Sequence, residues 1–342
     1  MPNKLVYIGF GFHHHLGGHA GYHQIANYLK YDFYVDAQGF YNNCAKHRSN
    51  FARRIRHYIL SHLWFGFNAF PWYLIKCMWM ALSKGHLTFH FIYGENLFYN
   101  SKLLKVRGCK TVVTLHQPYE WFINKPSWIK KLKSVDRVIL VGEAEVPLFK
   151  KLTGRDNVFF IPHGICSDFY CPGKDERREN MVLTVGNWLR DFQFADKIYQ
   201  QLLATDQNVR IVIISNRDNQ RFITRNSRIQ FLSGITDEEL RELYRKTSCL
   251  FLPLIRFTAN NALLEAGAVG CPVLIACNFS DNSYIPDSFV NVQPMQVGLV
   301  SSEIRRMSET PQTLFDLSKY VNDNYSWDIV AQKTKHVLKE TN

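Results

Sequence analysis

The chain has 342 residues, which is long enough for two domains of ordinary size, each with its own hydrophobic core. Hydrophobic residues make up 46% of the chain and charged residues 20%, and this composition excludes a disordered or collagen-like protein. The formal net charge of +12 lies entirely in residues 1–171, which contain 21 basic and 9 acidic residues, so the first half should present a face to an anionic partner.

Short apolar runs rich in β-branched and aromatic residues recur along both halves of the chain. In the first half they predict strands at 5–10, 87–93, 111–116, 137–142 and 158–162. In the second half they predict strands at 181–186, 209–215, 229–232, 249–253 and 272–276. Because helical or polar stretches separate the strands, we expect one parallel sheet in each half, covered by helices on both faces. The predicted fold class is α/β, with two Rossmann-like domains whose sheets face a central cleft.

The first apolar run, at 5–10, is too short for a signal peptide and predicts the first strand. Gly17 and Gly18 follow it and precede an amphipathic helix, so the backbone there can approach a phosphate closely, although an ordinary strand-to-helix turn has the same pattern. Five histidines surround these glycines, at positions 13, 14, 15, 19 and 23. No carboxylate or cysteine completes a recognisable metal set with them, so we expect no metal here and assign His15 and His19 to the acceptor side of a substrate site.

Residues 51–82 combine three arginines with a run of aromatic side chains. From 57 to 75 the segment has no formal charge and approaches the ~20 residues of a membrane span, but two histidines, an asparagine and a proline interrupt it. A basic, aromatic helix pair lying on the surface of an anionic membrane fits this pattern better than a span. A wholly buried helix is the remaining alternative.

The run 111–116 ends in His116, and Gln117-Pro118 stops the strand at that point. Ligands of parallel sheets bind beyond the carboxyl ends of the strands, so His116 is a candidate site residue, with a hydrogen-bonded core histidine as the alternative. The eight cysteines form no Cys-x-x-Cys pair and no zinc-finger spacing, which predicts reduced, buried thiols in a cytoplasmic protein.

The charged, turn-rich segment 171–180 is the best linker in the chain. It predicts an N-terminal domain over 1–170 and a C-terminal domain over 171–325. A last helix, over 326–342 and capped near Ser326, is expected to pack back on the N-terminal domain.

The most informative motif spans 252–273: a strand, a polar turn, a helix from about 260 to 269, a stop at Gly270 and another strand. Thr258 or Asn260 can cap the helix, and its unpaired amides form an anion site. Glu265 lies about two turns into the helix, roughly 9 Å along its axis, which suits a diphosphate at the helix start and ribose hydroxyls further along. The alternative is an ordinary capped helix with Glu265 exposed.

This stretch resembles the nucleotide-sugar segment of retaining glycosyltransferases of the GT-B fold, the large family four or group 1, in which a Leu-Glu-Ala helix precedes a Gly-x-Pro-Val strand. Further segments resemble that family in the right order, at 16–25, 112–116, 160–169 and 182–187, followed by a Ser-Trp pair at 326–327. Each similarity is weak alone, and together they cover nearly the whole chain.

The resemblance implies that His116 contacts the transferred sugar and that Glu265 binds the ribose. It also implies that the donor lies against backbone and polar groups of three segments, namely Gly17 and Gly18, Gly186 and Asn187, and Thr258, Asn260 and Asn261. Where the family has an arginine and a lysine for the diphosphate, this chain has Arg190 as its nearby cation. Phe257 stands where the family often has an acidic residue, so the role of that acid is either absent here or filled by backbone and Asn261.

The function implied is transfer of a sugar, with retention, from a UDP- or GDP-sugar to a lipid-linked or cell-envelope glycan at the cytoplasmic face of a membrane. Family-four transfer uses no metal or other cofactor, and no Asp-x-Asp occurs in the chain. His116 and Arg190 are the expected catalytic residues. A nucleotide-sugar epimerase of the same fold is one alternative, and a nucleic-acid-binding protein that uses short basic runs such as 130–133 is another, although no recognition motif accompanies those runs.

Overall fold

The computed structural model describes residues 3–12, 18–47, 72–98, 103–174, 178–256, 258–278, 284–309 and 312–339. The chain divides into two compact units. Unit 1 comprises Met1–His13, Gly21–Ile161 and Ala331–Asn342, and unit 2 comprises His14–Ala20 and Pro162–Val330. The boundary between Ile161 and Pro162 therefore precedes the linker predicted at 171–180.

Unit 1 contains a parallel six-stranded sheet of order β2-β1-β3-β4-β5-β6. Its strands are β1 Lys4–Gly9, β2 Phe33–Asp36, β3 Leu87–Phe91, β4 Lys110–Leu115, β5 Arg137–Leu140 and β6 Val158–Phe160. Its helices are α1 Ile25–Tyr28, α2 Gln38–His47, α3 Trp72–Lys84, α4 Gly94–Leu97, α5 Tyr119–Ile123, α6 Pro126–Ser134 and α7 Glu145–Thr153. The central strands β3 and β5 are buried along their whole length, as expected where helices cover both faces of a parallel sheet.

Unit 2 contains a second parallel six-stranded sheet, of order β12-β11-β10-β7-β8-β9. Its strands are β7 Glu179–Val185, β8 Arg210–Ile214, β9 Ile229–Leu232, β10 Thr247–Pro253, β11 Val273–Ala276 and β12 Asn291–Gln293. Its helices are α8 Phe192–Thr205, α9 Asp237–Lys246, α10 Asn261–Ala268, α11 Val297–Glu309 and α12 Phe315–Tyr325. The last helix, α13 Trp327–Lys339, begins in unit 2 and ends in unit 1, where Arg137 Nη1 donates to the carbonyl of Val337 at 2.6 Å.

The predicted α/β class with two Rossmann-like sheets is confirmed. Each predicted strand is present with its ends shifted by at most a few residues. The sequence pattern missed β2 and β12, which are short edge strands that pair on one side only. Their residues are half-buried or exposed apart from Val35, so they lack the continuous apolar run that marks a central strand.

Part of the stretch over 160–169 that resembles the glycosyltransferase family has a packing role in unit 2. Ile165 pairs with Ser326 in an isolated parallel bridge, and a Cβ at Gly164 would overlap the ring of Trp327. The Ser-Trp pair near the end of the chain is thus held directly against this stretch. His163 is buried beside it, and its ring centroid lies 5.3 Å from that of Trp327.

The seven cysteines whose side chains the structure describes are free thiols. Cys77, Cys109, Cys249, Cys271 and Cys277 are buried, whereas two others are half-buried. Within the described ranges, none of the helices has the length and apolar character needed to cross a membrane. Most of the segment 51–82, including its three arginines, lies outside the described residues.

Candidate functional site in unit 2

The loop after β7 has an unusual backbone. Gly186 has φ of 109° and Leu189 has φ of 55°, and a positive φ at a leucine is rare because its Cβ crowds the backbone. Between them, Trp188 is 67% exposed. Strained backbone of this kind concentrates at ligand sites, and this loop lies at the carboxyl end of a central strand, where parallel sheets bind ligands.

Arg190 connects this loop to the start of α10. Its Nε donates to the carbonyl of Val185 at 3.2 Å, and its Nη1 donates to that of Trp188 at 3.1 Å. Its Nη2 donates to Asn260 Oδ1 at 3.1 Å. Burial lowers the pKa of Arg190 to about 10, which leaves the guanidinium positively charged at neutral pH.

The close approach of Arg190 depends on the glycine at 186. A Cβ built on Gly186 would lie 3.0 Å from Arg190 Nη2 and 3.3 Å from its Cζ. The positive φ and the absent side chain together let a cation rest directly against the end of β7.

Asn260 is the N-cap of α10. Its Oδ1 accepts a hydrogen bond from the amide of Leu263 at 3.3 Å, and the residue is 4% exposed. Its Nδ2 is buried and has no hydrogen-bond partner among the described residues. An orphaned buried donor is costly, so this NH₂ group is suited to bind an acceptor such as a ligand oxygen, beside the positive end of a helix and the Arg190 guanidinium. Thr258 and Asn261 flank it and are half-buried.

The helix α10 itself is a deeply buried element. Every residue from Ala262 to Ala268 is buried, and a Cβ at Gly267 would lie 2.8 Å from Val321 of α12. Gly270 has φ of 69° and ends the helix, as the sequence predicted. The small residues of α10 therefore let α12 pack closely against it.

Glu265 is buried within unit 2, so the alternative that it is an exposed residue of an ordinary helix is wrong. It is 4% exposed, and its Oε2 accepts a hydrogen bond from Tyr244 Oη at 3.0 Å. Burial raises the pKa of Glu265 to about 7, the hydrogen bond from Tyr244 lowers it, and the charge of Asp237 raises it further. Perturbed carboxyl groups of this kind are concentrated at functional sites.

The side chain of Asn187 forms hydrogen bonds with residues of a neighbouring loop. Its Oδ1 accepts from Ser215 Oγ at 2.8 Å and from the amide of Asn216 at 2.5 Å, which joins the loops after β7 and β8. The side chain as a whole is exposed. Its predicted contact with a donor stays a prediction.

His19, predicted to lie on the acceptor side, is grouped with unit 2. Its ring stacks on Phe169 with a centroid distance of 3.6 Å and an interplanar angle of 6°. Its amide donates to Asp237 Oδ2 at 3.2 Å, and Arg241 lies 4.4 Å from the centroid of Phe169. Its role toward a substrate stays a prediction.

Gly18 has φ of 103° with open space around it, which agrees with a tight turn at this position. Gly17, His15 and Phe257 lie outside the described residues.

His116 follows β4 in unit 1, at the carboxyl end of the strand. Its Nδ1 lies 3.2 Å from Glu95 Oε1, and 16% of its side chain is exposed. The rings of Tyr22 and Tyr93 pack against it with centroid distances of 4.8 and 4.9 Å. His116 is therefore held by a carboxylate and two aromatic rings at the edge where a ligand of this sheet would bind.

Sequence reasoning missed Tyr244 and Glu95, the partners of the two principal candidates. Tyr244 lies in α9 and has no local pattern that distinguishes it from a core tyrosine. Glu95 carried a usable signal, because it is an acid two residues after the end of the strand predicted at 87–93. Among the described residues, no group of three or more His, Cys, Asp or Glu side chains is placed to hold a metal ion.

Residues 179–287, which include β7, α10 and Glu265, match the family described as glycosyl transferases group 1. The match covers about a third of the chain. The resemblance to group 1 glycosyltransferases predicted from the sequence is thereby confirmed. No curated protein is similar enough in sequence to match the chain.

Several solved structures share the fold. A glycosyltransferase from Rickettsia africae is 11% identical, with 99% of this chain and 100% of that chain covered and a TM-score of 0.69. Anabaena HepE in complex with UDP-glucose is 12% identical, with 98% and 99% covered and a TM-score of 0.69. The sucrose-phosphate synthase of Thermosynechococcus elongatus is 16% identical, with 79% and 77% covered and a TM-score of 0.63. At these identities the likeness establishes a shared fold, the GT-B fold of glycosyltransferases.

Proposed function

We propose that the protein is a retaining glycosyltransferase that transfers a sugar from a nucleoside diphosphate donor to a lipid-linked or cell-envelope glycan. The observation that carries this proposal is the start of α10, within the region that matches the glycosyltransferase family. There, an orphaned amide of Asn260, the cation of Arg190 and the buried carboxyl of Glu265 belong to one unit.

The donor diphosphate suits the positive groups at the start of α10. The free backbone amides of a helix N-terminus and its dipole favour a phosphate, and Arg190 adds a full positive charge. Asn260 Nδ2 can donate to a phosphate oxygen and so gain the partner that it lacks. Further along the helix, the Glu265 carboxylate can accept hydrogen bonds from both ribose hydroxyls of a UDP or GDP group.

The chemical step we propose is a displacement on one face of the sugar. The bond from the anomeric carbon to the diphosphate oxygen breaks, and a bond to the acceptor oxygen forms on the same face, so the configuration is retained. The acceptor proton passes to the leaving diphosphate, which requires no metal and no other cofactor. Arg190 stabilises the charge that develops on the leaving group, and His116 positions the sugar.

For the acceptor we propose a peripheral position on the inner, anionic face of a membrane. The observation that supports it is α3, the described part of the basic and aromatic segment. Its residues Tyr73, Cys77 and Met80 are buried. The opposite side carries exposed apolar side chains at positions three or four residues apart, namely Trp72, Ile75, Trp79 and Leu82. Lys76 and Lys84 are also exposed, and the helix has no acid, so this face suits an anionic interface.

Thermal-shift measurements with UDP, GDP, ADP and their sugars test the donor proposal. A ligand at 100 times its dissociation constant stabilises the folded state by about 2.7 kcal/mol. Reaction of the stabilising sugar nucleotide with membrane lipid extract, with and without EDTA, should then give an α-linked product from an α-linked donor, as measured by the anomeric proton coupling. Release of an epimerised free sugar nucleotide without an acceptor would instead indicate an epimerase.

A further inference from the structure

The structure contains a buried carboxylate, Glu95, whose placement in unit 1 follows from the turn between β3 and α4. Gly94, the first residue of α4, allows this short helix to lie directly against β4. A Cβ at Gly94 would fall 2.9 Å from Leu115 Cδ2 and 3.0 Å from Val113 Cβ. Glu95 thereby reaches the end of β4, where His116 lies.

The carboxylate of Glu95 has one hydrogen-bond partner among the described residues. Its Oε1 lies 3.2 Å from His116 Nδ1, its side chain is 5% exposed, and its Oε2 is buried without a partner. A buried carboxylate without hydrogen bonds is strongly unfavourable. A hydrogen bond from the imidazole N–H therefore stabilises Glu95 in its buried position.

The nearby buried histidine is not a competing partner. His90 Nδ1 lies 2.7 Å from Tyr31 Oη and its Nε2 lies 2.8 Å from Thr114 Oγ1, so both of its ring nitrogens are engaged. Burial lowers the pKa of His90 to about 3, and this ring therefore carries no positive charge for Glu95 at neutral pH.

The ring of His116 is also restricted in its orientation. Tyr22 packs against it at an interplanar angle of 73° and Tyr93 at 43°. These two residues are joined to each other, because the amide of Tyr22 donates to Tyr93 Oη at 2.9 Å. The carboxylate and the two rings fix both the plane of the imidazole and the nitrogen that faces Glu95.

We propose that Glu95 is a positioning residue that holds His116 in the Nδ1–H tautomer, so that Nε2 presents its lone pair to a hydroxyl of the transferred sugar. This inference rests on the proposed role of His116 as the sugar contact. In neutral imidazole one nitrogen donates and the other accepts, and a carboxylate at Nδ1 decides which one. His116 then selects a sugar with a hydroxyl donor at that place, and a deoxy or fluoro analogue at that hydroxyl should be a poorer substrate.

The test combines histidine NMR with kinetics on the full chain. With ¹⁵N-labelled histidine, the His116 signals are those that disappear in His116→Gln. Wild type should show a protonated Nδ1, and Glu95→Leu, which has similar volume and no acceptor, should shift the proton to Nε2. Glu95→Gln retains an acceptor oxygen and should restore most of the Nδ1–H population. If the Glu95→Leu variant does not fold, Glu95→Asp serves as a second variant, because the shorter aspartate side chain no longer reaches His116 Nδ1.

The matched control is Asp136→Asn. Asp136 accepts from the amide and hydroxyl of Thr111, near the other end of β4. Thr111 precedes His116 by five residues, about 17 Å at roughly 3.3 Å per residue of a parallel strand. This variant should leave the tautomer unchanged.

In transfer assays, Glu95→Leu should lower kcat by about 10–100-fold with the Kd for UDP or GDP unchanged, by analogy with the loss of activity when the hydrogen-bond partner of a metal-binding histidine is removed. A His116 that keeps its Nδ1 proton in both Glu95→Leu and Glu95→Asp, or an unchanged kcat, would overturn the proposal. The tautomer of His116 could also shift in Glu95→Leu while the wild-type protein shows no transfer activity. That result would support the positioning role of Glu95 and would contradict the proposed function.

Discussion

Glu265 is a carboxyl group that burial holds partly protonated near neutral pH. Because its pKa is raised to about 7, the ionised form that best accepts ribose hydroxyls is a minority at pH 6 and the majority at pH 8. We therefore expect the affinity for UDP or GDP to increase roughly 10-fold over this range, in proportion to the ionised fraction. Isothermal titration calorimetry at several pH values measures this change.

Glu265→Gln should bind more weakly and should lose this pH dependence, since it has no proton to exchange. Glu242→Gln is a suitable control, because Glu242 is a half-buried acid of the neighbouring helix α9 that pairs with Arg245. Equal pH dependence in wild type and Glu265→Gln would show that another group controls donor binding.

The carboxyl group of Glu265 also makes the free energy of unfolding depend on pH, and its raised pKa determines the direction of that dependence. Between the ordinary value of 4.5 and the folded value of about 7, the folded state binds the proton more tightly than the unfolded state. Glu265 therefore lowers the free energy of unfolding as pH rises through this window. Without nucleotide, the melting temperature of Glu265→Gln should fall less between pH 5 and pH 8 than that of wild type. A parallel fall in both proteins would contradict the raised pKa.

The residues of the site differ in how well the sequence predicts them. Asn260, Glu265 and Gly270 lie within one contiguous segment, where the capping residue, the helix and the stop form a local pattern. Tyr244 reaches Glu265 from 21 positions away, and Glu95 reaches His116 from a distance of 21 positions as well. Such pairs depend on the packing of separate elements, which a pattern of neighbouring residues does not contain.

At the scale of single elements, the loop after β7 depends on Gly186. Gly186→Ala places a side chain at positive φ, which costs about 1 kcal/mol, and also displaces Arg190 from its position 3.0 Å away. Gly234→Ala also places a side chain at positive φ, since Gly234 has φ of 73°, but this glycine has open space around it. We expect Gly186→Ala to weaken UDP or GDP binding about 10-fold, or 1.4 kcal/mol, and Gly234→Ala to leave it unchanged.

Calorimetric titration and thermal melting of both glycine variants separate the two effects. A similar loss of melting temperature with a loss of affinity only in Gly186→Ala would support Arg190 as the diphosphate contact. Equal affinities for UDP or GDP in the two variants would show that Arg190 stabilises the loop and does not bind the diphosphate.

The elements most easily predicted from the sequence are the central strands. Strands such as β3, β5 and β10 are buried along their whole length and consist mainly of apolar residues. The edge strands β2 and β12 were missed because their composition does not mark them as strands. They are strands because each forms hydrogen bonds with one neighbouring strand.

At the scale of the whole molecule, charge and exposed apolar surface are concentrated in the first half. The second half is electrically neutral, with 20 basic and 20 acidic residues in 172–342, whereas 1–171 carries the whole net charge. The described helix α3 adds an apolar face to this charge, with Trp72 and Trp79 exposed by 55% and 64%. Basic charge first attracts a protein to anionic lipid, and tryptophan side chains then enter the interface.

We therefore expect the protein to sediment with vesicles that contain anionic lipid and not with neutral vesicles. Each lysine or arginine near an anionic surface contributes about 1 kcal/mol, and this contribution falls with added salt. Changing Arg53, Arg54 and Arg56 together to Ser should weaken the binding, and so should the double change Trp72→Ser and Trp79→Ser. Neither set should change UDP or GDP binding, because the groups proposed to hold the donor diphosphate, Arg190 and Asn260, belong to unit 2.

The control for the tryptophan variant is the double change Leu299→Ser and Phe315→Ser in unit 2, whose side chains are also exposed, by 46% and 50%. If loss of apolar surface anywhere reduced sedimentation equally, the effect would be nonspecific adhesion. If both vesicle types recovered the same fraction of wild-type protein, the positive first half would have no part in membrane binding. An acceptor presented by the membrane requires the selective outcome, because only then does anionic lipid bring the acceptor and the enzyme to the same surface.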